Sequence, residues 1–498
     1  MTRRNSPADE LANKSRSTQR PRSPQRGTTQ GFLSVLCELS VQAAHFFRGC
    51  TAGHYLSLAI ASLVLAASVS AITPPAVKFT DTRLKNGLRV IVAEDHTAPV
   101  FSIAVVYDVG SRDERNGRSG FAHLFEHMMF KGSANVGPGE HFFAVFSNGG
   151  SMNGTTNKER TLYYDTLPSN QLDLALFLEA DRMRSLDIVK ENLDNQRNAV
   201  QEERRQGRDN QPYGRTGEAV DEQAFDNAAY RHSVIGSMED LNAASIEDVR
   251  SFFKTYYAPN NAIVAIAGDV NAASTLDRAR KYFESIPSQP APPPVDVSQP
   301  PQHGERRLML EDPLARLPRL DISYRIPSSL SPDDDTIDVL AMMLAGGRSS
   351  RLYETIVREK QLAVAMNAFA PDSRGPRLFR IVATASPETS LDDLEAVTYA
   401  EIERVKAGPI AEWEIEKARN TARRSFVGDL STSRSLASNL AWYALLYGDP
   451  GRINTRYERL ARFNAGDVQR VAKQYLTPDN RSVVITRPKP AAASKGAL

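Results

Sequence analysis

Residues 248–261 (DVRSFFKTYYAPNN) and residues 467–480 (DVQRVAKQYLTPDN) share one pattern, and the second stretch follows the first at an offset of 219 positions. Asp-Val, Lys, Tyr, Pro and Asn recur in register. Both copies predict a helix that runs to the Tyr, a turn at Pro-x-Asn, and then a β-strand, AIVAIAG at 262–268 and SVVIT at 482–486. Such a repeat indicates two related domains. The alternative is that two unrelated segments converged on one local helix-turn-strand pattern.

A Pro- and Gln-rich stretch at residues 288–303 (SQPAPPPVDVSQPPQH) separates the two copies and is typical of an extended linker. It divides the chain into an N-terminal domain at 76–287 and a C-terminal domain at 304–490, with a leader at 1–75 and a tail at 491–498. Both domains mix strand and helix patterns. Each is therefore expected to be α+β, with an antiparallel-rich sheet covered by helices in an α/β sandwich.

Local signals place individual elements in both domains. Asn86-Gly87 is the favoured two-residue turn of a β-hairpin. The other expected elements are a strand at 100–109, helices at 119–130, 170–186, 191–206 and 245–257, a second-domain strand at 319–325 and a helix at 334–344. Phe142, Phe143 and Phe146 are expected to lie in the core.

The composition excludes several classes of protein. The chain has 498 residues, with 61 Lys+Arg against 59 Asp+Glu, 41% apolar and 24% charged residues. This length allows roughly two to four domains, and a wholly disordered or fibrous chain is excluded. A net charge of +2 is too small to indicate a nucleic-acid partner. The two cysteines, Cys37 and Cys50, exclude a disulfide scaffold and a four-cysteine zinc site.

The leader contains the one apolar segment that could enter a membrane. Residues 55–67 (YLSLAIASLVLAA) have the pattern of a short apolar helix, and Val69-Ser70-Ala71 supplies the small residues of a cleavage site. This segment resembles a secretory signal peptide and predicts export. An uncleaved membrane anchor and a buried helix are the alternatives. Residues 1–30 are rich in Arg, Ser, Pro and Gln and have too little apolar surface to pack.

Two of the eight histidines lie in residues 123–127 (HLFEH). On an α-helix His123 and His127 are about one turn apart on one face, where both imidazoles can bind a single metal ion. This ligand chemistry suits Zn²⁺, whose catalytic sites have three protein ligands and an open position. Glu126 lies at the edge of that face, where it can take a proton from metal-activated water as general base. The alternative is two ordinary histidines on an amphipathic helix.

A third ligand has to come from another part of the chain. The expected helix at 191–206 carries Glu191, Glu202 and Glu203, and spacing alone does not choose among them. His141 would make a poor fourth ligand, because a catalytic zinc ion keeps that position open for water and substrate.

Residues 123–132 (HLFEHMMFKG) resemble the inverted H-x-x-E-H zinc motif of the pitrilysin/insulinase-type metallopeptidases. The likeness is to the two-domain branch that includes mitochondrial processing peptidase and exported bacterial relatives. It extends over nearly all of 76–490, with further blocks at 151–157 (SMNGTTN), 196–205 (QRNAVQEERR) and 346–353 (GGRSSRLY).

The resemblance implies a clamshell of two homologous α/β-sandwich domains. The implied function is that of a zinc-dependent metalloendopeptidase that hydrolyses peptides or unfolded proteins. For a bacterial relative of this branch, export implies the periplasm. Contact with the membrane is expected only through an uncleaved leader.

The resemblance also implies roles for individual residues. His123 and His127 would be zinc ligands, and Glu126 would be the general base. The family's third ligand is a Glu about 76 residues after the second His, which selects Glu203. Gln196 stands where the family often has an acid that orients a ligand; an amide can still form hydrogen bonds but cannot share charge.

Substrate-binding roles are implied for two more positions. Asn153 lies in the block that borders the family's active site, where an extended peptide could pair with a strand. Family members also use an Arg and a Tyr of the second domain; Arg358 is present here, but Val364 and Ala365 occupy the places of the Tyr. In this branch a partner chain that lacks the zinc motif often supplies the Arg/Tyr pair. A heterodimer with such a subunit, or a homodimer, is therefore expected.

The second domain is not expected to bind metal. The offset of 219 places Met342, Ala345 and Gly346 at the motif positions, and the matching helix has Ala422 or Ser425 at the third-ligand position. One zinc ion per chain is therefore expected. The rival functions are a non-catalytic assembly or chaperone-like subunit of the same fold, and a peptide-binding module without turnover.

Overall fold

The computed structural model of the protein describes residues 75–490. The expected signal segment at 55–71, both cysteines and the tail at 491–498 lie outside the described residues. Residues 75–490 contain no helix with the length and apolar character needed to cross a bilayer. The described residues belong to one compact unit.

The N-terminal half is built on a mixed sheet. Its strands are β1 (Thr80–Arg83), β2 (Arg89–Glu94), β3 (Val100–Tyr107), β4 (Ser151–Thr156), β5 (Thr161–Pro168) and β6 (Ala262–Gly268). Within 75–490 they lie in the order β1-β2-β6-β3-β5-β4, and only β2 and β6 pair in parallel. The central strands are rich in Val, Ile and Ala because both of their faces are buried. The polar strand β4 stands at the edge, with one side unpaired by any described strand.

Nine helices accompany this sheet within the described range. They are α1 (Phe121–Met128), α2 (Glu140–Ser147), α3 (Leu172–Ser185), α4 (Lys190–Arg204), α5 (Thr216–Ala224), α6 (Ala228–Arg231), α7 (Met238–Asn242), α8 (Ile246–Tyr256) and α9 (Ala272–Phe283). Alternate strand residues such as Val90, Val92 and Val105 pack against helices of this half. The residues between them point to the opposite face of the sheet.

The C-terminal half repeats this plan with one strand fewer. Its elements are β7 (Arg306–Asp312), β8 (Arg319–Ile326), α10 (Asp334–Ala345), β9 (Ala363–Phe369), β10 (Arg377–Ala385), α11 (Leu391–Ala407), α12 (Glu412–Gly428), α13 (Ser433–Tyr447), α14 (Ile453–Arg459), α15 (Ala465–Tyr475) and β11 (Arg481–Pro488). The order β7-β11-β8-β10-β9 matches β2-β6-β3-β5-β4 strand for strand, including the parallel pair. The expectation of two related α/β domains is confirmed.

The repeated sequence builds the same junction in both halves. Its Asp closes a capping box at the start of α8 and of α15, and its Val is buried. Its Asn donates a hydrogen bond to the carbonyl oxygen of the Tyr at the helix end, at 2.8 Å for Asn261 and 2.7 Å for Asn480. The same amide groups also reach carbonyl oxygens at the neighbouring strands, on Asp108 and Arg325. Each of these residues therefore caps or packs the helix-to-strand junction.

Each half covers one face of the other half's sheet with a helix. α5 packs on β7 and β11 through residues that include Ala219 and Val220. α13 packs on β3 and β6 through Leu436, Leu440 and Ala441. The two helices stand at matching places in the repeat, since the range of α5 shifted by 219 falls within α13. The halves therefore interlock.

The segment between the halves is held in place. Residues 284–305 carry no helix or strand, as a linker requires. The side chain of Asn227 donates to the carbonyl oxygens of Asp296 and Ser298 at 2.9 and 3.1 Å. The side chain of Gln299 accepts from the backbone N–H groups of Asp226 and Asn227. These bonds fasten the segment to the N-terminal half.

Two local expectations have opposite outcomes. Asn86 and Gly87 do lie in the turn between β1 and β2, but the turn is a three-residue loop that also includes Lys85, with Gly87 at φ 87°. The placement of Phe142, Phe143 and Phe146 in the core was wrong, because Phe143 and Phe146 are 74% and 54% exposed and Phe142 is also exposed. On α2 the buried positions are those of His141 and Val145, so the three phenylalanines lie on its outer face.

Candidate metal centre and active site

The motif helix α1 starts from a buried cap. Gly120 precedes it with φ 88°, a left-handed conformation that favours glycine, and a Cβ there would lie 2.6 Å from the carbonyl oxygen of Ile235. The Glu114 carboxylate accepts hydrogen bonds from the backbone N–H groups of Gly120 and Ala122, at 2.9 and 2.7 Å. Burial raises the pKa of Glu114 well above its ordinary value. Sequence reasoning missed this cap, because an acid outside the helix belongs to no periodic pattern.

The structure brings His123 and His127 of α1 together with Glu203, near the end of α4. Nε2 of His123 lies 3.6 Å from Oε2 of Glu203, and Nε2 of His127 lies 3.3 Å from it. The donor atoms of all three residues lie within 4.8 Å of one another. Two ligands bound at about 2.1 Å to a tetrahedral zinc ion stand about 3.4 Å apart. This set of two nitrogens and one oxygen therefore fits zinc.

The environment favours the metal-binding forms of these side chains. Burial lowers the pKa of His123 to about 4, and the neighbouring His127 adds to the effect, so the imidazole of His123 is neutral. The hydrogen bond from His127 lowers the pKa of Glu203, which keeps the carboxylate ionised. Neutral imidazole and ionised carboxylate are the forms that bind metal. The side chain of Glu203 is 50% exposed, which leaves the centre open to solvent on that side.

Among the acids of α4, Glu203 is the one that contacts both histidines. Glu202, one residue earlier, is exposed and pairs with Arg205 at 3.2 Å. Gln196 is buried, but its Nε2 donates to the side chain of Asn195 at 2.5 Å. Within the described residues no hydrogen bond joins Gln196 to a candidate ligand.

Glu126 lies next to this centre and is 8% exposed. Its Oε2 accepts a hydrogen bond from Oγ1 of Thr156, at 2.6 Å. Gly154 approaches the other oxygen so closely that a Cβ there would lie 2.9 Å from Oε1. Burial raises the pKa of Glu126, and the hydrogen bond from Thr156 opposes this rise. A raised pKa makes the carboxylate a better general base near neutral pH. Sequence reasoning missed Thr156.

Arg160, in the turn between β4 and β5, is another neighbour that sequence reasoning missed. Its guanidinium donates to the carbonyl oxygen and the hydroxyl of Thr155 at 3.0 and 2.8 Å, and it lies 6.0 Å from the ring of Trp442 on α13. Burial lowers the pKa of Arg160 to about 10, and the charge of Glu126 opposes this effect. Arg160 is therefore a cation at neutral pH, within the electrostatic field of Glu126. A basic residue in a turn has no sequence pattern that distinguishes it.

The residues expected to bind substrate are placed as follows. Asn153 is exposed on the edge strand β4, and its side chain accepts a hydrogen bond from the N–H of Gly154 at 2.9 Å. Arg358 is an exposed residue of the helical segment Tyr353–Glu359 and pairs with Glu354 at 2.8 Å within that segment. Val364 and Ala365 are exposed on β9, so an apolar surface stands where a tyrosine was sought.

A second group of ligand-type side chains lies deep in the N-terminal half. The donor atoms of His141, Asp165 and Glu179 are within 4.8 Å of one another, and all three residues are buried. Arg182 donates to both carboxylate oxygens of Glu179, so a guanidinium already neutralises that carboxylate and would repel a metal cation. Burial raises the pKa of Asp165 well above its ordinary value. The guanidinium beside Glu179 and the raised pKa of Asp165 both disfavour a metal cation in this cluster.

The C-terminal half has no comparable centre. The helices α10 and α12 correspond to α1 and α4, and the offset of 219 places Met342, Gly346 and Ala422 at the three ligand positions. Within the described part of this half, no group of His, Cys, Asp and Glu side chains has metal-binding spacing. The candidate metal centre therefore lies in the N-terminal half of the described residues.

Comparisons with known proteins show the family to which the chain belongs. Residues 89–237 match the family described as Insulinase (Peptidase family M16), and residues 243–422 match the Peptidase M16 inactive domain. The zinc protease PqqE of Helicobacter pylori is 30% identical over 414 residues, which cover 82% of this chain and 93% of that protein. The chain therefore belongs to peptidase family M16. The probable mitochondrial-processing peptidase subunit beta of Arabidopsis thaliana is 25% identical over 410 residues, or 79% of this chain and 76% of that protein.

Solved structures share the whole two-domain fold. A protease from Helicobacter pylori has a TM-score of 0.80 at 29% identity, and the match covers 83% of this chain and 100% of that one. A putative M16-like peptidase from Alicyclobacillus acidocaldarius has a TM-score of 0.74 at 20% identity and covers 84% of this chain and 100% of that one. The family and fold expected from the motif are confirmed.

Proposed function

We propose that this protein is a zinc-dependent metalloendopeptidase that hydrolyses peptides or unfolded proteins. One observation carries the proposal: two histidines and a glutamate from two helices converge at zinc-ligand spacing, with the carboxylate of Glu126 beside them. A non-catalytic subunit would not need this complete set. The zinc proteases among the relatives support the same conclusion.

His123, His127 and Glu203 would hold the metal ion. When bound, zinc supplies Lewis-acid activation of a water molecule and of the scissile carbonyl group. Glu126 performs the proton transfers: a carboxylate oxygen accepts a proton from the attacking water and later donates it to the nitrogen of the leaving amine. A carbon–oxygen bond forms and the carbon–nitrogen bond breaks, so one water molecule is consumed per peptide bond.

The edge strand β4 suits an extended substrate. Its outer side has no strand partner among the described residues, so its backbone groups can pair with a peptide by β-augmentation. Gly154 and Glu126 are in contact, which places this edge directly at the general base. Folded proteins keep their backbone groups engaged, so peptides and unfolded chains are the favoured substrates.

The Glu126→Gln variant tests the proposal. It keeps the size of the side chain and leaves the three ligands intact, so zinc content measured by mass spectrometry should stay at one ion per chain. Cleavage of a fluorogenic unfolded peptide should fall by about 10²–10⁴-fold, because the amide cannot accept the proton. Glu202→Gln, an exposed change on α4, is the matched control and should keep full turnover. Unchanged cleavage in Glu126→Gln would contradict the assigned role.

We also propose that activity is strongest in a dimer whose partner supplies an Arg/Tyr pair. Arg358 is bound within its own turn by Glu354, and Val364 and Ala365 offer no hydroxyl group. Co-purification from native cell envelopes, with turnover measured before and after the partner is removed, tests this expectation. Full turnover by the purified monomeric chain would refute it.

A further inference from the structure

The two oxygens of Glu126 have different surroundings. Oε2 accepts a 2.6 Å hydrogen bond from Thr156, whereas Oε1 lies beside the bare Cα of Gly154. We propose that Thr156 is a positioning residue for peptide hydrolysis, which holds Oε2 so that Oε1 is the oxygen that takes the proton from water. This inference rests on the proposed peptidase function and assigns a role that the zinc motif does not contain.

The alternation of a β-strand places both contacts on one face. Gly154 and Thr156 are two residues apart on β4, so both point toward α1, while Thr155 between them points away and accepts from Arg160. A side chain at position 154 would collide with Glu126, because its Cβ would lie 2.9 Å from Oε1 and from Cγ. Gly154 therefore leaves room for Oε1 of Glu126, and Thr156 donates a hydrogen bond to Oε2.

The hydroxyl of Thr156 has two acceptors within reach, Oε2 of Glu126 at 2.6 Å and Oγ1 of Thr161 at 3.3 Å. Thr161 stands directly opposite Thr156 across the β4–β5 pair, with the two hydroxyl oxygens 3.3 Å apart. Thr161 is fully buried and donates to the carbonyl oxygen of Val109 at 3.0 Å. Thr156 has one proton to give, and the Glu126 oxygen at 2.6 Å is the closer of the two acceptors.

A threonine at this place restrains a flexible side chain. Glutamate has three side-chain torsions, and a carboxylate without a fixed partner samples several orientations. The branched Thr156 side chain is itself held by its strand and has few rotamers. Loss of its hydroxyl should therefore lower turnover without removing the metal ion or the substrate edge of β4.

The test compares Thr156→Val, which keeps the shape and removes the hydroxyl, with Thr156→Ser, which keeps the hydroxyl. The zinc-loaded full chain is assayed with an unfolded fluorogenic peptide, together with any partner that co-purifies. For Thr156→Val we expect kcat to fall by about 10–100-fold, with KM, zinc content and melting temperature close to those of the unmodified protein. Thr156→Ser should recover at least half of kcat.

Three outcomes separate the possibilities. Equal kcat values for the Val and Ser variants, high or low, overturn the positioning role. Loss of zinc in Thr156→Val with retention in Thr156→Ser would also overturn it, since the hydroxyl would then support the metal centre. If Thr156→Val is poorly folded, Thr156→Ala is compared with Thr156→Ser in its place. Absence of any cleavage by the unmodified protein would refute the peptidase function itself.

Discussion

Two adjacent glutamates on α4 show how one residue position separates a candidate metal ligand from a surface charge. Glu203 contacts both motif histidines, while Glu202 points away and pairs with Arg205. Residues one apart on a helix differ by about 100° around its axis, so they cannot both face α1. Both positions carry a glutamate, so only the direction in which each side chain points from the helix distinguishes them.

The paired variants Glu203→Gln and Glu202→Gln measure this difference. Glu203→Gln replaces an ionised ligand by an amide, so we expect it to lose most of its zinc on dialysis and to lose turnover with it. Glu202→Gln should retain one zinc ion per chain. Zinc content by mass spectrometry checks both variants. Equal zinc content in the two would show that Glu203 is not a ligand.

Asp113 predicts a specific dependence of stability on pH. Burial raises the pKa of Asp113 from 3.8 to about 6, although its carboxylate accepts a hydrogen bond from the N–H of Gly110 at 2.8 Å. The folded chain holds this proton more tightly than the unfolded chain does. The contribution of Asp113 to stability is therefore lost as the pH rises from about 4 through 6. Over this range the free energy of unfolding should fall by up to about 3 kcal/mol.

The Asp113→Asn variant isolates this contribution. It should be more stable than the unmodified protein at pH 7.5, by up to about 3 kcal/mol, and the difference should shrink toward zero near pH 4. Urea unfolding at several pH values gives the free energy of unfolding. The exposed change Asp277→Asn is the control and should shift stability little at any pH. A difference between Asp113→Asn and the unmodified protein that did not vary with pH would contradict the argument.

At the scale of elements, local sequence was informative wherever the determinant was local. The repeated Asp and Asn predicted a helix, a turn and a strand, and they act as caps at that junction. The H-x-x-E-H spacing likewise predicted two histidines on one face of α1, because helix geometry alone sets that distance. Glu114, Thr156 and Arg160 could not be predicted, because their roles depend on contacts between separate elements.

The sequence also did not predict that each half packs a helix on the sheet of the other half. α13 is apolar around much of its circumference, and such a pattern indicates burial without indicating against which sheet. Its Leu440 lies fully buried in the cluster that includes β3 and β6 of the N-terminal half. A residue in the C-terminal half thus helps to bury the face of the N-terminal sheet that α13 covers.

The Leu440→Ala variant measures how much the packing of α13 on the N-terminal sheet contributes to the free energy of unfolding. It removes buried methyl groups and leaves a cavity between α13 and the N-terminal sheet, so we expect a loss of about 2–5 kcal/mol in the free energy of unfolding. Leu330→Ala is the same change at a half-exposed position and should cost much less. Urea unfolding measures both. Similar losses in the two variants would show that α13 is not a tightly packed part of the N-terminal core.

At the scale of the molecule, side chains also tie the two halves together at strands β3 and β4, beside the candidate metal centre. Arg374 of the C-terminal half donates to Asp108 and to Glu159, which follow β3 and β4. Glu159 is buried and also accepts hydrogen bonds from Tyr230 and Ser373, at 2.6 and 2.7 Å. The half without metal ligands therefore braces the hairpin that contacts Glu126.

The final prediction follows from the interlocked cores. Residues 75–287 expressed alone would expose the sheet face that α13 covers, which includes Ile91, Ala104 and Ala265. A contiguous apolar face of this kind drives aggregation, so the isolated half should be insoluble or should lack a cooperative melting transition.

Co-expression with residues 288–490 as a separate chain should restore a soluble 1:1 complex that binds one zinc ion. Full-length protein cut once within 288–303 is the control, because its halves are already packed. A soluble, cooperatively melting monomer of 75–287 would show that the halves fold independently.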